Sequence, residues 1–144
     1  MFNSLLIVCI GNICRSPAVE KLFQQALKSK MTVSSAGLGA LVGHGIDKQM
    51  VRCLNADGVN EVEHAARQFT RGLAQEADII LVMEQDHVNA IQNIAPEAAG
   101  KTMLLGKWSN NEEIADPYKR SDEFFELIYK QMRTNVDAWA KKLG

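Results

Sequence analysis

Continuous apolar stretches alternate along the chain with segments whose apolar residues recur at helical spacing. Stretches of the first kind are typical of parallel strands that are covered on both faces of a sheet. They predict strands over residues 4–10, 31–36, 77–83 and 101–105. Segments of the second kind predict helices over residues 17–29, 47–56, 86–94 and from about residue 121 onward.

The alternation of strands and helices predicts an α/β fold with a parallel sheet. We expect a single domain over residues 1–144, in which a central four-stranded parallel sheet lies between two layers of helices. This is a Rossmann-like, three-layer α/β/α arrangement, and its crossovers should be right-handed. The last helix carries an apolar stripe that we expect in the core, together with Trp108: Phe124, Phe125, Ile128, Met132, Val136, Trp139 and Leu143.

Composition narrows the possible functions. The 144 residues are 47% hydrophobic and 23% charged, with a formal charge of -1. Like charges do not cluster, which argues against nucleic acid as a partner and against a membrane-surface helix. The first apolar run is too short to span a bilayer, so we expect no direct membrane insertion. Three cysteines are an odd and sparse set, unlike a disulfide framework, and a cytoplasmic location is expected.

The most informative segment is CIGNICRSP, residues 9–17, between the first predicted strand and the first predicted helix. A turn here would direct successive backbone N–H groups toward one point, at the positive end of the helix dipole. Ligands of open α/β sheets also bind at the carboxyl ends of strands. The segment therefore predicts a phosphate-binding loop. Pro17 suits the first position of the helix that follows.

Cys9 lies at the base of this loop, where N–H groups and Arg15 would favour a thiolate, the nucleophilic form of cysteine. The planar guanidinium of Arg15 can hold two phosphate oxygens at once. Gly11 allows a close approach of the backbone, and Asn12 tolerates the left-handed region. The N–H groups of the whole loop are expected to bind phosphate, including those of Ile10, Ile13 and Cys14.

The string VCIGNICRSP resembles the signature of the low-molecular-weight protein tyrosine phosphatases. The resemblance extends to Ser35-Ala36-Gly37, Ala66-Arg67-Gln68 and Asp116-Pro117-Tyr118. Residues 36–43 and the Asp-Pro-Tyr-Lys segment are most similar to bacterial members linked to capsule or exopolysaccharide export. This resemblance implies a phosphotyrosine protein as the partner, namely an autophosphorylating membrane tyrosine kinase. It implies no cofactor and no metal, and the three histidines show no ligand spacing.

The same resemblance assigns the catalytic roles. Cys9 attacks phosphorus and forms a phosphocysteine, and Arg15 holds the phosphate. Asp116 first protonates the leaving oxygen and then activates water. Ser16 resembles the family serine that donates a hydrogen bond to the nucleophile, although capping of the helix would also explain it.

Support residues are implied with alternatives. His64 falls where related enzymes carry a histidine bonded to the loop asparagine, but an ordinary surface histidine would fit as well. Cys14 could form a reversible, protective disulfide with Cys9, or it could be a packed thiol. The expected walls of the substrate cleft are Leu38, Leu41 and Tyr118. Lys119 stands where eukaryotic relatives carry a second aromatic residue.

The sequence argues against three other functions. An arsenate reductase of this fold needs closely spaced cysteines after the third strand, and none follows Met83. Phosphatases of phosphoarginine carry Thr where Ile13 stands here. A phosphate-binding module without turnover would need neither a nucleophile at Cys9 nor an acid at Asp116.

Overall fold

A parallel sheet forms the centre of the molecule, as the apolar runs predicted. The computed structural model describes residues 2–144. Its four strands are β1 (Ser4–Cys9), β2 (Thr32–Gly37), β3 (Ile79–Val82) and β4 (Thr102–Leu104). They pair in the order β2-β1-β3-β4, and every pairing is parallel. The α/β fold and the sheet are therefore confirmed.

Helices cover both faces of this sheet. They are α1 (Arg15–Leu27), α2 (Lys48–Ala56), α3 (Arg71–Glu76), α4 (Gln85–Ile94) and α5 (Asp122–Leu143), with a 3₁₀ turn at Pro96–Lys101. Alternate residues of β1 point to opposite faces. Leu5 and Ile7 pack against α1, α2 and α5, whereas Leu6 and Val8 pack against α3 and α4. The three-layer arrangement is confirmed.

Two local predictions about helices were wrong. Helix α1 begins at Arg15, so Pro17 is its third residue rather than its first. This placement is tolerated because the first four N–H groups of a helix have no partner within it. Helix α3 was not predicted, since it has only six residues and contains Gly72. Thr70 caps it by accepting the N–H of Leu73 at 3.2 Å.

Trp108 is not a core residue, contrary to the prediction, because 42% of it is exposed. It lies in the loop after β4 and packs edge-to-face against Trp139, with 5.4 Å between the ring centroids. The ammonium groups of Lys107 and Lys142 lie 5.1 and 4.6 Å from the centroid of its ring. Trp139 does lie in the core, where its Nε1 donates to the Leu105 carbonyl at 2.8 Å. Trp108 therefore covers the rim of the core.

Side chains bind the outer edge of the sheet at β2. Gln24 Nε2 donates to the Val33 carbonyl at 3.2 Å, and Arg67 Nε donates to the Ser35 carbonyl at 2.8 Å.

No helix within residues 2–144 combines the length and the apolar character that crossing a membrane requires.

Candidate active site

The loop between β1 and α1 turns its carbonyl groups outward. Each carbonyl from residue 9 to residue 14 is within hydrogen-bond distance of a donor outside the loop. Five of these donors are backbone N–H groups. They bind the Cys9 carbonyl (from Leu38, 2.9 Å), the Ile10 carbonyl (from Gly39, 2.9 Å), the Gly11 carbonyl (from Leu41, 3.0 Å), the Ile13 carbonyl (from Asp47, 2.8 Å) and the Cys14 carbonyl (from Ala18, 3.4 Å). His64 Nε2 lies 2.7 Å from the Asn12 carbonyl. With the carbonyls engaged outside, the backbone N–H groups are the ones left for an anion on the inner side.

Asn12 organises this loop from within. It is fully buried and has a φ of 59°, in the left-handed region that the sequence analysis anticipated. Its Oδ1 accepts the N–H of Arg67 at 3.0 Å, which fixes which end of the amide is the donor. Its Nδ2 then donates to Ser16 Oγ at 2.7 Å and to Ser35 Oγ at 3.0 Å.

These bonds determine where the Ser16 proton can go. Ser16 Oγ lies 2.9 Å from Cys9 Sγ. Because Ser16 Oγ already accepts a hydrogen bond from Asn12, its own hydrogen is free to point at the sulfur. The geometry thus favours a hydrogen bond donated to the Cys9 sulfur over a simple helix cap, and no side chain caps α1 at its start.

Arg15 is held by a residue that the sequence analysis did not single out. Its Nη1 donates to Glu84 Oε2 at 2.5 Å and to the Ile114 carbonyl at 2.8 Å. Arg15 is only 2% exposed, so the Glu84 carboxylate compensates a buried charge. Glu84 follows β3, whose carboxyl end lies beside that of β1. In the sequence, the signal for this role was an acidic residue directly after a predicted strand.

A cleft of about 210 Å³ opens over the loop. It is lined by Cys9, Ile10, Gly11, Ile13, Cys14, Arg15, Gly39, Leu41, Asp116 and Tyr118. The structure thus brings the three predicted catalytic side chains into one cavity. Leu38 does not line it, contrary to the prediction, because its side chain packs against the core on the α3–α4 face. Gly39, which was not predicted, takes part in the lining instead.

Asp116 and Cys14 lie in this cleft under different constraints. Asp116 is exposed, and its Oδ1 accepts the N–H of Tyr118 at 3.0 Å, which orients the carboxylate within its loop. Cys14 is buried. Burial raises the pKa of the Cys14 thiol far above its ordinary value, and the carboxylates of Asp47 and Asp116 raise it further. Cys14 is therefore a protonated thiol at neutral pH.

The site combines a buried thiol, a buried arginine paired with a carboxylate, and a loop whose carbonyls all turn outward. Such a site defines the class of protein as an α/β enzyme that acts on an oxyanion such as phosphate. Comparison with known proteins gives the particular family. The family model of the low molecular weight phosphotyrosine protein phosphatases matches residues 4–144. The chain belongs to that family, and it is accordingly a phosphoric monoester hydrolase. The resemblance noted from the sequence is confirmed.

Individual relatives agree with this assignment along their full length. Wzb of Salmonella typhimurium, a low molecular weight protein-tyrosine-phosphatase, is 45% identical over 100% of this chain and 96% of its own. The crystal structure of Wzb from Escherichia coli K30 with sulphate has a TM-score of 0.96 at 46% identity, covering 100% of both chains. The structure of Vibrio vulnificus Wzb with benzylphosphonate has a TM-score of 0.95 at 43% identity, covering 99% of each chain.

Replacement of Glu84 by alanine should impair the positioning of Arg15 in the cleft. Without the carboxylate, the Arg15 guanidinium loses the charged partner that positions it, and we expect kcat/KM to fall about tenfold. The measurement is steady-state hydrolysis of p-nitrophenyl phosphate by the folded variant. Glu97→Ala, which removes a carboxylate that pairs with Arg71 on the surface, is the matched control and should retain wild-type kinetics. Equal rates for wild type and Glu84→Ala would contradict the assigned role.

Proposed function

We propose that this protein hydrolyses phosphotyrosine in proteins through a covalent phosphocysteine on Cys9. The observation that carries this proposal is the single cleft that contains the Cys9 thiol at its base, with Arg15 and Asp116 in its lining. A nucleophile, a cation and a carboxyl group around one cavity are the parts that in-line phosphoryl transfer requires.

In the first step, the Cys9 thiolate attacks phosphorus while the bond from phosphorus to the tyrosine oxygen breaks. The leaving oxygen takes a proton from the Asp116 carboxyl group, so that tyrosine departs neutral. The Arg15 guanidinium and the N–H groups of residues 10–15 stabilise the charge that spreads over the equatorial oxygens. The product is phosphocysteine.

In the second step, water attacks phosphorus and gives a proton to the Asp116 carboxylate. The bond from sulfur to phosphorus breaks, and inorganic phosphate and the thiolate are released. Ser16, with its Oγ 2.9 Å from the sulfur, stabilises the departing thiolate by donating its proton in a hydrogen bond. The site is thereby returned to its starting state.

The proposed substrate class follows from the shape of the cleft. Cys9 is 3% exposed at the base, whereas Tyr118 is 40% exposed and Leu41 is 42% exposed at the mouth. A phosphate must therefore reach inward past apolar walls, which suits a long aromatic phosphate better than phosphoserine. Binding of benzylphosphonate, an aromatic phosphonate, by the Vibrio vulnificus relative supports this proposal.

As the physiological partner we propose an autophosphorylating membrane tyrosine kinase of capsule or exopolysaccharide export, met from the cytoplasm. The support is the resemblance of residues 36–43 and of the Asp-Pro-Tyr-Lys segment to the bacterial members with that role. Ile13 further favours phosphotyrosine over phosphoarginine.

The mechanism is tested by trapping the intermediate in Asp116→Ala. Loss of the acid should lower kcat on a phosphotyrosine peptide about 10²- to 10⁴-fold. With p-nitrophenyl phosphate, whose leaving group needs little protonation, phosphocysteine should accumulate because hydrolysis still lacks its base. Mass spectrometry of acid-quenched protein would show one added phosphoryl group on the peptide that contains Cys9.

Two controls make this experiment decisive. The double variant Cys9→Ala, Asp116→Ala should carry no phosphoryl group, because alanine offers no nucleophile, and Asp137→Ala, which removes an exposed carboxylate on α5, should turn over like wild type. Asp116→Ala with wild-type kcat and no covalent species would refute the mechanism.

A comparison of phosphotyrosine, phosphoserine and phosphoarginine peptides of one sequence tests the substrate class. We expect the highest kcat/KM on phosphotyrosine. A preference for phosphoarginine would overturn the substrate class while leaving the covalent chemistry in place.

A further inference from the structure

A buried histidine lies directly behind the phosphate clamp and has no part in the steps above. His87 is in the first turn of α4 and is 3% exposed. Its Nδ1 accepts the backbone N–H of Glu84 at 3.3 Å. Its Nε2 lies 3.7 Å from Glu84 Oε2, the same oxygen that accepts the hydrogen bond from Arg15 Nη1.

The hydrogen bonds determine the protonation state of this ring. A nitrogen that accepts an N–H bond carries no proton, so the single proton of neutral His87 is on Nε2. That N–H faces the carboxylate oxygen and favours its negative charge. Burial lowers the pKa of His87, and the Arg15 cation lowers it further, while Glu84, Asp86 and Glu113 act in the opposite direction. The net lowering keeps the ring neutral at neutral pH.

We propose that His87 is a positioning residue for phosphate binding. It holds Glu84 in place, and Glu84 in turn holds the Arg15 guanidinium. This inference rests on the proposed function, because it takes Arg15 to be the phosphate clamp. His87 acts at both ends of Glu84, on its backbone N–H and on its carboxylate. Loss of the ring would free Glu84 to rotate toward solvent, since its side chain is 32% exposed.

Protonation of His87 would loosen the same clamp. A proton on Nδ1 would replace the acceptor of the Glu84 N–H with a second donor, so that this hydrogen bond is lost. The new positive charge would repel Arg15 and compete with it for Glu84. Because the pKa of folded His87 is lowered, its contribution to stability is present above the ordinary histidine pKa and is lost as pH falls below it.

A double-mutant cycle on inorganic phosphate affinity tests the proposal. The inhibition constant of phosphate is measured by competition with p-nitrophenyl phosphate for wild type, His87→Ala, Glu84→Ala and the double variant. We expect His87→Ala alone to weaken phosphate binding about fivefold, and to add almost nothing when Glu84 is already alanine. The proposal would be overturned if His87→Ala left the inhibition constant unchanged. It would also be overturned if His87→Ala had the full fivefold effect both in wild type and in Glu84→Ala.

Folding and general effects on α4 are controlled separately. Gln92→Ala, at an exposed position of the same helix, should bind phosphate like wild type. If His87→Ala does not fold, His87→Asn replaces it in the cycle, because the asparagine oxygen can accept the Glu84 N–H while no group remains beside Oε2. The same fivefold weakening is expected for His87→Asn, and wild-type phosphate affinity in that variant would overturn the proposal.

A pH series gives a readout that a purely structural role would not move. Ionisation of phosphate itself is common to all variants, so the relevant quantity is the ratio of variant to wild-type inhibition constants. We expect that ratio to fall toward one as the pH is lowered below the ordinary histidine pKa and wild type loses its own neutral His87. A constant ratio would contradict the proposal. Turnover of p-nitrophenyl phosphate should continue in all these variants, so such a failure would leave the covalent mechanism untouched.

Discussion

Cys9→Ser should lose at least about 10⁴-fold in kcat on p-nitrophenyl phosphate and on phosphotyrosine peptides alike. The serine hydroxyl is not ionised at neutral pH, and no neighbouring base within the loop could deprotonate it. The fold should be retained, because the substitution exchanges sulfur for oxygen at a position that already lies 2.9 Å from the Ser16 hydroxyl. Circular dichroism and thermal unfolding would confirm that the variant is folded.

A second cysteine provides the matched comparison. Cys53 is half-buried on α2, outside the cleft. Cys53→Ser should therefore keep nearly wild-type kcat. Substantial turnover by folded Cys9→Ser would exclude cysteine as the nucleophile, whatever the substrate.

Gly37→Ala should damage both stability and activity, through contact with the loop between β1 and α1. A Cβ at this last residue of β2 would lie 2.3 Å from the Ile10 carbonyl oxygen, and 3.0 and 3.1 Å from Asn12 Cβ and N. Backbone atoms and a buried side chain cannot move aside as a flexible surface side chain would. Either β2 or the loop must shift, and we expect the free energy of unfolding to fall by about 2–3 kcal/mol.

The shift would reach the chemistry because the loop carries Cys9 and the N–H groups that we propose bind phosphate. A displacement of about 1 Å in such groups costs about 10²-fold in rate, and we expect a loss of that order in kcat/KM. Chemical denaturation and p-nitrophenyl phosphate kinetics measure the two effects. Gly72→Ala is the control, since its added Cβ would come no closer than 3.7 Å to the Thr70 side chain. Full activity in Gly37→Ala would show that the loop tolerates displacement.

The local part of the site could be predicted from the sequence. Cys9, Gly11, Asn12 and Arg15 lie within seven residues, and a strand, a turn and a helix place them together with few alternatives. The left-handed Asn12, at a φ of 59°, is an example in which residue type indicated backbone conformation. The strands agreed to within about two residues at most ends, because their apolar runs are continuous.

Contacts between distant segments could not be predicted in this way. Glu84 is 69 residues from Arg15 in the chain, and only the order of strands brings them together. Leu38 is the opposite case. Its position in the sequence suggested that it lines the cleft, but its side chain packs against the core on the α3–α4 face of the sheet. Trp108 was misplaced because apolar character does not distinguish a residue within a core from one that covers its rim.

The side chains of Gln24 and Arg67 should also protect the molecule against self-association. An exposed edge strand with free carbonyls is a template on which a second chain can add its own strand, the first step toward aggregates and amyloid. At β2 the Val33 and Ser35 carbonyls already accept hydrogen bonds within the same molecule. An incoming strand would have to displace an amide and a guanidinium before it could pair with these two carbonyls, so we expect this border of the sheet to be a poor template for strand addition.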